Sequence, residues 1–171
     1  FGLSSGILIV LYPFMKRITY WPQLFLGIVF NWGVILGYLV FNDELNLEII
    51  LIYLSAILWT LGYDTIYGLQ DIYDDIKIGV KSTSIKFKKN IKQFLTIVYI
   101  LSFSLIFIVS ILITKEIGIF FIFYLLPLFL LTYQIQSVEI RKNKKNLSLF
   151  KLNNYYGLSI FLIQIFIFKY A

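Results

Sequence analysis

The run Phe94-Leu-Thr-Ile-Val-Tyr-Ile-Leu-Ser-Phe-Ser-Leu-Ile-Phe-Ile-Val-Ser-Ile-Leu-Ile113 contains no charged side chain. A helix rises about 1.5 Å per residue, so roughly 20 such residues cross the hydrocarbon core of a bilayer, about 30 Å. The rest of the chain has the same character. Hydrophobic residues make up 60% of the 171 positions, aromatics 19% and charged residues 14%, and the mean hydropathy is +0.85. Soluble domains average about 45–50% apolar and about 25% charged. One soluble core could not hide so much Phe, Ile and Leu, whereas lipid can.

Working outward from 94–113, the other candidate spans are 1–15, 22–41, 47–72, 117–136 and 154–171. The expected fold class is therefore an all-α integral membrane protein, a multi-helix transmembrane bundle with about six spans present. No internal repeat or Gly/Ser linker breaks 1–171, which reads as a single domain. The first span is short and begins at Phe1 without Met, so further sequence is expected upstream, and a leader there would not be visible.

Charge sets the orientation. Lys16 and Arg17 follow the first span, and Lys77, Lys81, Lys86, Lys88, Lys89 and Lys92 surround the segment after the third. Arg141, Lys142, Lys144, Lys145 and Lys151 follow the fifth. The alternate loops hold Asp43, Glu44 and Glu48, or only Lys115 and Glu116. Loops 13–21, 76–93 and 137–153 are thus expected on the cytoplasmic side. The net charge of +6 reads as a topology signal, and no nucleic-acid partner is expected. The Arg141–Lys145 run reads as a solvated loop.

The chain has no Cys and no His, which excludes disulfides, thiolate metal sites, zinc-hydrolase chemistry and a histidine base. Carboxylates, tyrosines, lysines and water remain. Four of the nine acidic residues lie in Leu61-Gly-Tyr-Asp-Thr-Ile-Tyr-Gly-Leu-Gln-Asp-Ile-Tyr-Asp-Asp75. On one continuous helix, Asp64, Asp71 and Asp75 would fall within about 40° of one another, with Gly68 on the same stripe and Asp74 turned away. An Asp deep in a membrane helix costs roughly 2.5–3.5 kcal/mol on insertion scales, and aligned carboxylates repel. A divalent cation relieves both. Mg2+ takes oxygen ligands, typically one or two carboxylates with phosphate oxygens, so the stripe suits a magnesium-bridged diphosphate. The competing reading is a solvated helix end beside Lys77 and Lys81. Asp64, two turns deeper, argues for the functional one.

Two stretches resemble a known family. Tyr12-Pro-Phe-Met-Lys-Arg17 with Thr19, Pro22-Gln23, Leu26-Gly27, Phe30 and Trp32-Gly33 is similar to the 4-hydroxybenzoate polyprenyltransferases of the UbiA superfamily. So is Gly62-Tyr-Asp-Thr-Ile-Tyr67, continuing through Gln70-Asp71, Asp74-Asp75 and Ile78-Gly-Val-Lys-Ser-Thr83. Phe150 with Asn153-Asn154 and Gly157 is a weaker third match. The resemblance implies a nine-helix fold with a central cavity, and a polyprenyl diphosphate bound through Mg2+ by two Asp-rich motifs. Asp71 and Asp75 match the second motif, with Asp64 on the preceding turns. Arg17 and Lys81 match positions associated with diphosphate or aromatic-carboxylate binding, and Lys16, Tyr67 and Ser82 join them as candidate substrate-binding residues. The first Asp-rich motif is absent. The chain is expected to be the C-terminal two-thirds of such an enzyme, inactive alone.

The implied reaction moves a polyprenyl group from its diphosphate to the ring carbon of 4-hydroxybenzoate ortho to the phenol, in ubiquinone biosynthesis. Trp32, Tyr63 and Tyr67 are candidates to shelter an allylic cation. A bacterial inner membrane is the expected location, with a mitochondrial inner membrane as the alternative. The rival functions are a superfamily prenyltransferase with another aromatic acceptor, and a transporter or channel whose carboxylates pass cations.

Overall fold

In a computed structural model the structure describes residues 2–115, 118–140 and 142–170, and every regular element among them is helical. In chain order these are α1 (Gly2–Ile18), α2 (Pro22–Phe30), α3 (Trp32–Leu39), α4 (Leu47–Tyr67), α5 (Ile72–Ile78) and α6 (Thr83–Lys86). They are followed by α7 (Ile91–Thr114), α8 (Leu125–Ser137), α9 (Asn143–Lys151) and α10 (Asn153–Tyr170). Tight 3-10 turns at Lys88–Asn90 and Ile119–Tyr124 lead into α7 and α8.

Among the described residues three helical stretches are long and apolar enough to cross a membrane: Pro22–Leu39, Leu47–Tyr67 and Lys88–Thr114. The expected span 22–41 is divided at Asn31, where α2 gives way to α3. The Asn31 amide explains how the break is held. It donates to the Gly27 carbonyl at 2.8 Å and, across to α4, to Thr60 Oγ1 at 2.8 Å. The expected third span 47–72 stops at Tyr67, and the fifth opens as the 3-10 turn Ile119–Tyr124.

Helix α4 is the axis of the bundle, packed against α2, α3, α7 and α9. Small residues let the neighbours in. A Cβ on Gly27 would stand 2.9 Å from the Ile57 carbonyl oxygen, and one on Gly62 would overlap the Tyr99 ring of α7. Apolar side chains fill the seams, with Ile66, Leu69, Ile72 and Leu95 fully buried. Polar groups are inside as well, several with a partner on another helix. Ser55 and Ser102 exchange hydroxyl-to-carbonyl hydrogen bonds, both 2.8 Å, between α4 and α7. Tyr99 donates to Gln134 Oε1 at 2.9 Å, and Trp59 Nε1 to Asn153 Oδ1 at 2.9 Å. Meanwhile Phe30, Phe41, Ile97, Phe129 and Phe161 point outward. Polar contacts within and large apolar side chains without are the arrangement a lipid solvent selects.

The three basic loops share one end of the bundle. Lys81 N donates to the Lys16 carbonyl at 2.7 Å, Lys92 Nζ to the Gln136 carbonyl at 2.7 Å, and Asn143 Nδ2 to the Gln70 carbonyl at 2.9 Å. Lys142 and Lys145 both pair with Glu139, at 2.9 and 2.8 Å. Arg141 lies outside the described residues.

Candidate functional site

At this end, α1, α2, α4 and α5 enclose a polar pocket of about 100 Å³. Its walls are Tyr12 and Lys16 of α1, Pro22 and Gln23 of α2, and Asp64 and Tyr67 of α4. Gly68, Asp71, Asp75 and Ser82 complete them. Tyr12 and Lys16 are one helical turn apart and so share a face.

The sequence reading placed Asp64, Asp71 and Asp75 together, but through a different geometry. There is no continuous helix from 47 to 75. Helix α4 ends at Tyr67, and Gly68 caps it, its N–H donating to the Asp64 carbonyl at 2.9 Å. Leu69 N and Gln70 N continue as tight turns onto Ile66 and Tyr67, at 3.2 and 3.1 Å. Helix α5 then starts afresh, with Asp71 at its N-cap and Asp74 and Asp75 in its first turn. The chain therefore folds back on itself, and the three carboxylates meet across a turn. Asp71 is exposed and Asp75 partly buried. Burial raises the Asp75 carboxyl above its ordinary value, Lys16 opposes this, and Asp71 and Asp74 add to it.

The segment after α5 closes the pocket. Gly79, in the left-handed conformation at φ 76°, ends α5 and turns the chain toward α1. Four successive residues are then fastened. Lys81 N bonds Lys16, and the Ser82 hydroxyl accepts from Ile85 N at 3.2 Å as the cap of α6. Thr83 N donates to Gln23 Oε1 at 3.0 Å, and Ser84 Oγ donates to the Thr65 carbonyl at 2.7 Å. The hydroxyls of Thr65 and Thr83 are 2.6 Å apart. This stretch is thus a clasp that fixes α1, α2 and α4 around the acidic turn.

Lys16, Tyr67 and Ser82 line the pocket with the three aspartates. Lys81 and Arg17 are not among its walls. Lys81 Nζ donates to the Ile18 carbonyl at 3.1 Å and lies over the Tyr20 ring, and Arg17 is exposed. Trp32 packs edge-on against Tyr53, away from the site. Tyr63 belongs to an aromatic ladder beside it: Trp59–Tyr63 at 5.3 Å between ring centroids, Tyr63–Phe150 at 5.7 Å and Phe150–Tyr67 at 5.0 Å. The reading of single residues had not assigned roles to Tyr12 or Gln23. Both stood in the quoted motif, and the one-turn spacing of Tyr12 and Lys16 was the signal available for the first.

Among the described residues no group of three or more Asp or Glu side chains forms a metal cage. The pocket instead offers oxygen ligands beside a cation and an amide. That set fits a hard divalent cation, which takes oxygen ligands and commonly fills its remaining positions with phosphate oxygens and water.

The model of the UbiA prenyltransferase family matches residues 1–155. A protein of Drosophila melanogaster named 4-hydroxybenzoate polyprenyltransferase, mitochondrial, is 52% identical over 96 residues, which cover 56% of this chain and 24% of the fly protein. The protein of the same name in Arabidopsis thaliana is 51% identical, with 56% and 24% covered. The Dictyostelium discoideum protein of that name is 39% identical over 167 residues, covering 95% of this chain and 35% of its own length. The chain thus spans between about a quarter and a third of the length of these relatives. No solved structure matches.

Proposed function

The chain belongs to the UbiA prenyltransferase family, and from that premise we propose that it forms the diphosphate-binding end of a 4-hydroxybenzoate polyprenyltransferase. The observation that carries this reading is the convergence of Asp64, Asp71, Asp75 and Lys16 on one pocket at the basic end of a membrane bundle. The relatives' names supply the substrate, the acceptor ring of 4-hydroxybenzoate. Their names place them in mitochondria, which favours a mitochondrial membrane over a bacterial one.

In this reading Asp71 and Asp75 would hold Mg2+ together with diphosphate oxygens, and the bound ion would supply charge neutralisation for the leaving group. Lys16 provides a second, fixed positive charge at the same wall, stabilising the developing anion. Asp64, at the last turn of α4, sets the depth to which the anionic head can enter. The allylic carbon then carries cationic character beside Tyr67 and the Tyr63–Trp59 ladder, whose ring faces attract it. Attack by the ring carbon ortho to the phenol forms the carbon–carbon bond as the allylic carbon–oxygen bond to diphosphate breaks, and that carbon's proton passes to a carboxylate, a released diphosphate oxygen or water to restore aromaticity. A long apolar tail and a polar head explain why the site lies at the end of the bundle, where lipid and water are both within reach.

A cation path is less well supported. On α4 the described carboxylates lie at the two ends, Glu48 and Asp64, with apolar and hydroxyl side chains between. The test is transfer by the protein at its natural length, in membranes, from a polyprenyl diphosphate to a panel of aromatic acceptors. Prenylated 4-hydroxybenzoate is the expected product. Transfer to another acceptor alone would replace the substrate assignment, and transfer to none would refute the enzyme reading.

A further inference from the structure

We propose that Gln23 contacts substrate, its side-chain amide donating a hydrogen bond to an anionic oxygen held between Asp64, Asp71 and Asp75. The proposal deepens the reading above and rests on it. Gln23 is the second residue of α2 and is only 4% exposed. A buried amide is costly unless both of its ends find partners. One end is fixed: Oε1 accepts from Thr83 N at 3.0 Å. Only the carbonyl end can accept, so this bond decides which way the amide faces and turns the NH2 group the other way.

The other way is the acidic pocket. Gln23 lines it, and Nε2 lies 3.5 Å from the place a Cβ on Gly68 would occupy. That glycine leaves the amide open toward the turn carrying Asp71. Among the described residues nothing accepts a hydrogen bond from Nε2, so two N–H donors face a cavity walled by carboxylates. Such a wall repels an anion unless positive charge or neutral donors intervene. The amide contributes donors without adding charge, and Thr83 holds it in place before the anion arrives. Two substrate groups share the chemistry it recognises, the diphosphate of the prenyl donor and the carboxylate of the aromatic acceptor.

Gln23→Glu removes the donors while keeping the support, at the cost of an added negative charge that the uncharged Gln23→Met controls for. The carboxylate still accepts from Thr83 N, but the NH2 donors are gone. Binding of magnesium pyrophosphate and of 4-hydroxybenzoate to the natural-length protein is measured by calorimetry, which needs no turnover. The expected result is weakening of one probe by on the order of ten- to a hundred-fold, with a melting temperature near wild type. Loss for pyrophosphate assigns the oxygen to the diphosphate, and loss for 4-hydroxybenzoate assigns it to the acceptor. Gln23→Met, uncharged and of similar length, removes the donors without adding charge but also gives up the Thr83 bond, so weakening of the same probe in both variants is the expected result, and weakening in Gln23→Glu alone would trace to its charge and overturn the proposal. Equal affinities in wild type and variant, or binding of neither probe by wild type, would overturn the proposal. Binding by wild type without prenyl transfer would leave the Gln23 contact standing and refute the function instead.

Discussion

The backbone N–H of Lys81 donates to the backbone carbonyl of Lys16 at 2.7 Å, joining the loop after α5 to the last turns of α1. Both residues are lysines at the basic end, yet their amines go to different places. Lys16 lines the acidic pocket, whereas the Lys81 amine is held by the Ile18 carbonyl. Lys16→Met is expected to lower kcat/KM by on the order of ten- to a hundred-fold, the effect of one lost charged hydrogen bond. Lys81→Met keeps the backbone bond and should change kcat/KM by about twofold or less. Steady-state kinetics of the two variants, with Arg17→Met beside them, checks the order.

Gly62→Ala should destabilise the bundle by about 1–3 kcal/mol, because the added methyl meets the wedged Tyr99 ring. Tyr99 cannot easily withdraw, since it is 1% exposed and bonded to Gln134. Gly37→Ala is the control: nothing stands within 4 Å of a Cβ there, so the helix gains up to about 1 kcal/mol from propensity alone. Thermal unfolding in detergent should rank the variants Gly62→Ala, wild type, Gly37→Ala.

The reciprocal Ser55–Ser102 pair ties α4 to α7. Interhelical hydrogen bonds in membranes average about 0.6 kcal/mol and reach about 1.7. A double-mutant cycle with Ser55→Ala and Ser102→Ala should give a coupling within that range, since each serine both donates and accepts.

Much of this was legible in the chain. Twenty uncharged residues at 94–113 specify a membrane helix on length and composition alone, and the basic loops specify which ends lie together. The three aspartates were legible as a group, but their geometry was not. Helical periodicity projects Asp64, Asp71 and Asp75 onto one stripe only if the helix continues, and Gly68 gives no certain signal that it stops. Asn31 likewise reads as an ordinary polar residue until its amide is seen bonding Thr60. Roles that depend on which oxygen faces which donor, as for Gln23 and Thr83, are set by contacts 60 residues apart. No local pattern carries them.

Glu139 provides a pH response outside the membrane spans. Hydrogen bonds from Lys145 and Lys142 lower its carboxyl to about 2 from an ordinary 4.5. A carboxyl held lower in the folded state adds stability that is complete above the unfolded value and is lost as pH falls through the folded one. Protection of the 138–146 backbone from hydrogen exchange should therefore decline between pH 4.5 and about 2. Glu139→Gln should start lower at neutral pH and show no such step.

The central claim is that the acidic turn binds a metal-bridged diphosphate for prenyl transfer. Its most direct test is a magnesium titration of transfer to 4-hydroxybenzoate, with wild type, Asp71→Asn and Asp75→Asn of the natural-length protein compared in the same membranes. The expected result is activity that requires the ion, is abolished by EDTA, and falls by at least a hundredfold in either variant even at saturating magnesium. Undiminished transfer by both variants, or wild-type transfer unaffected by EDTA, would contradict it.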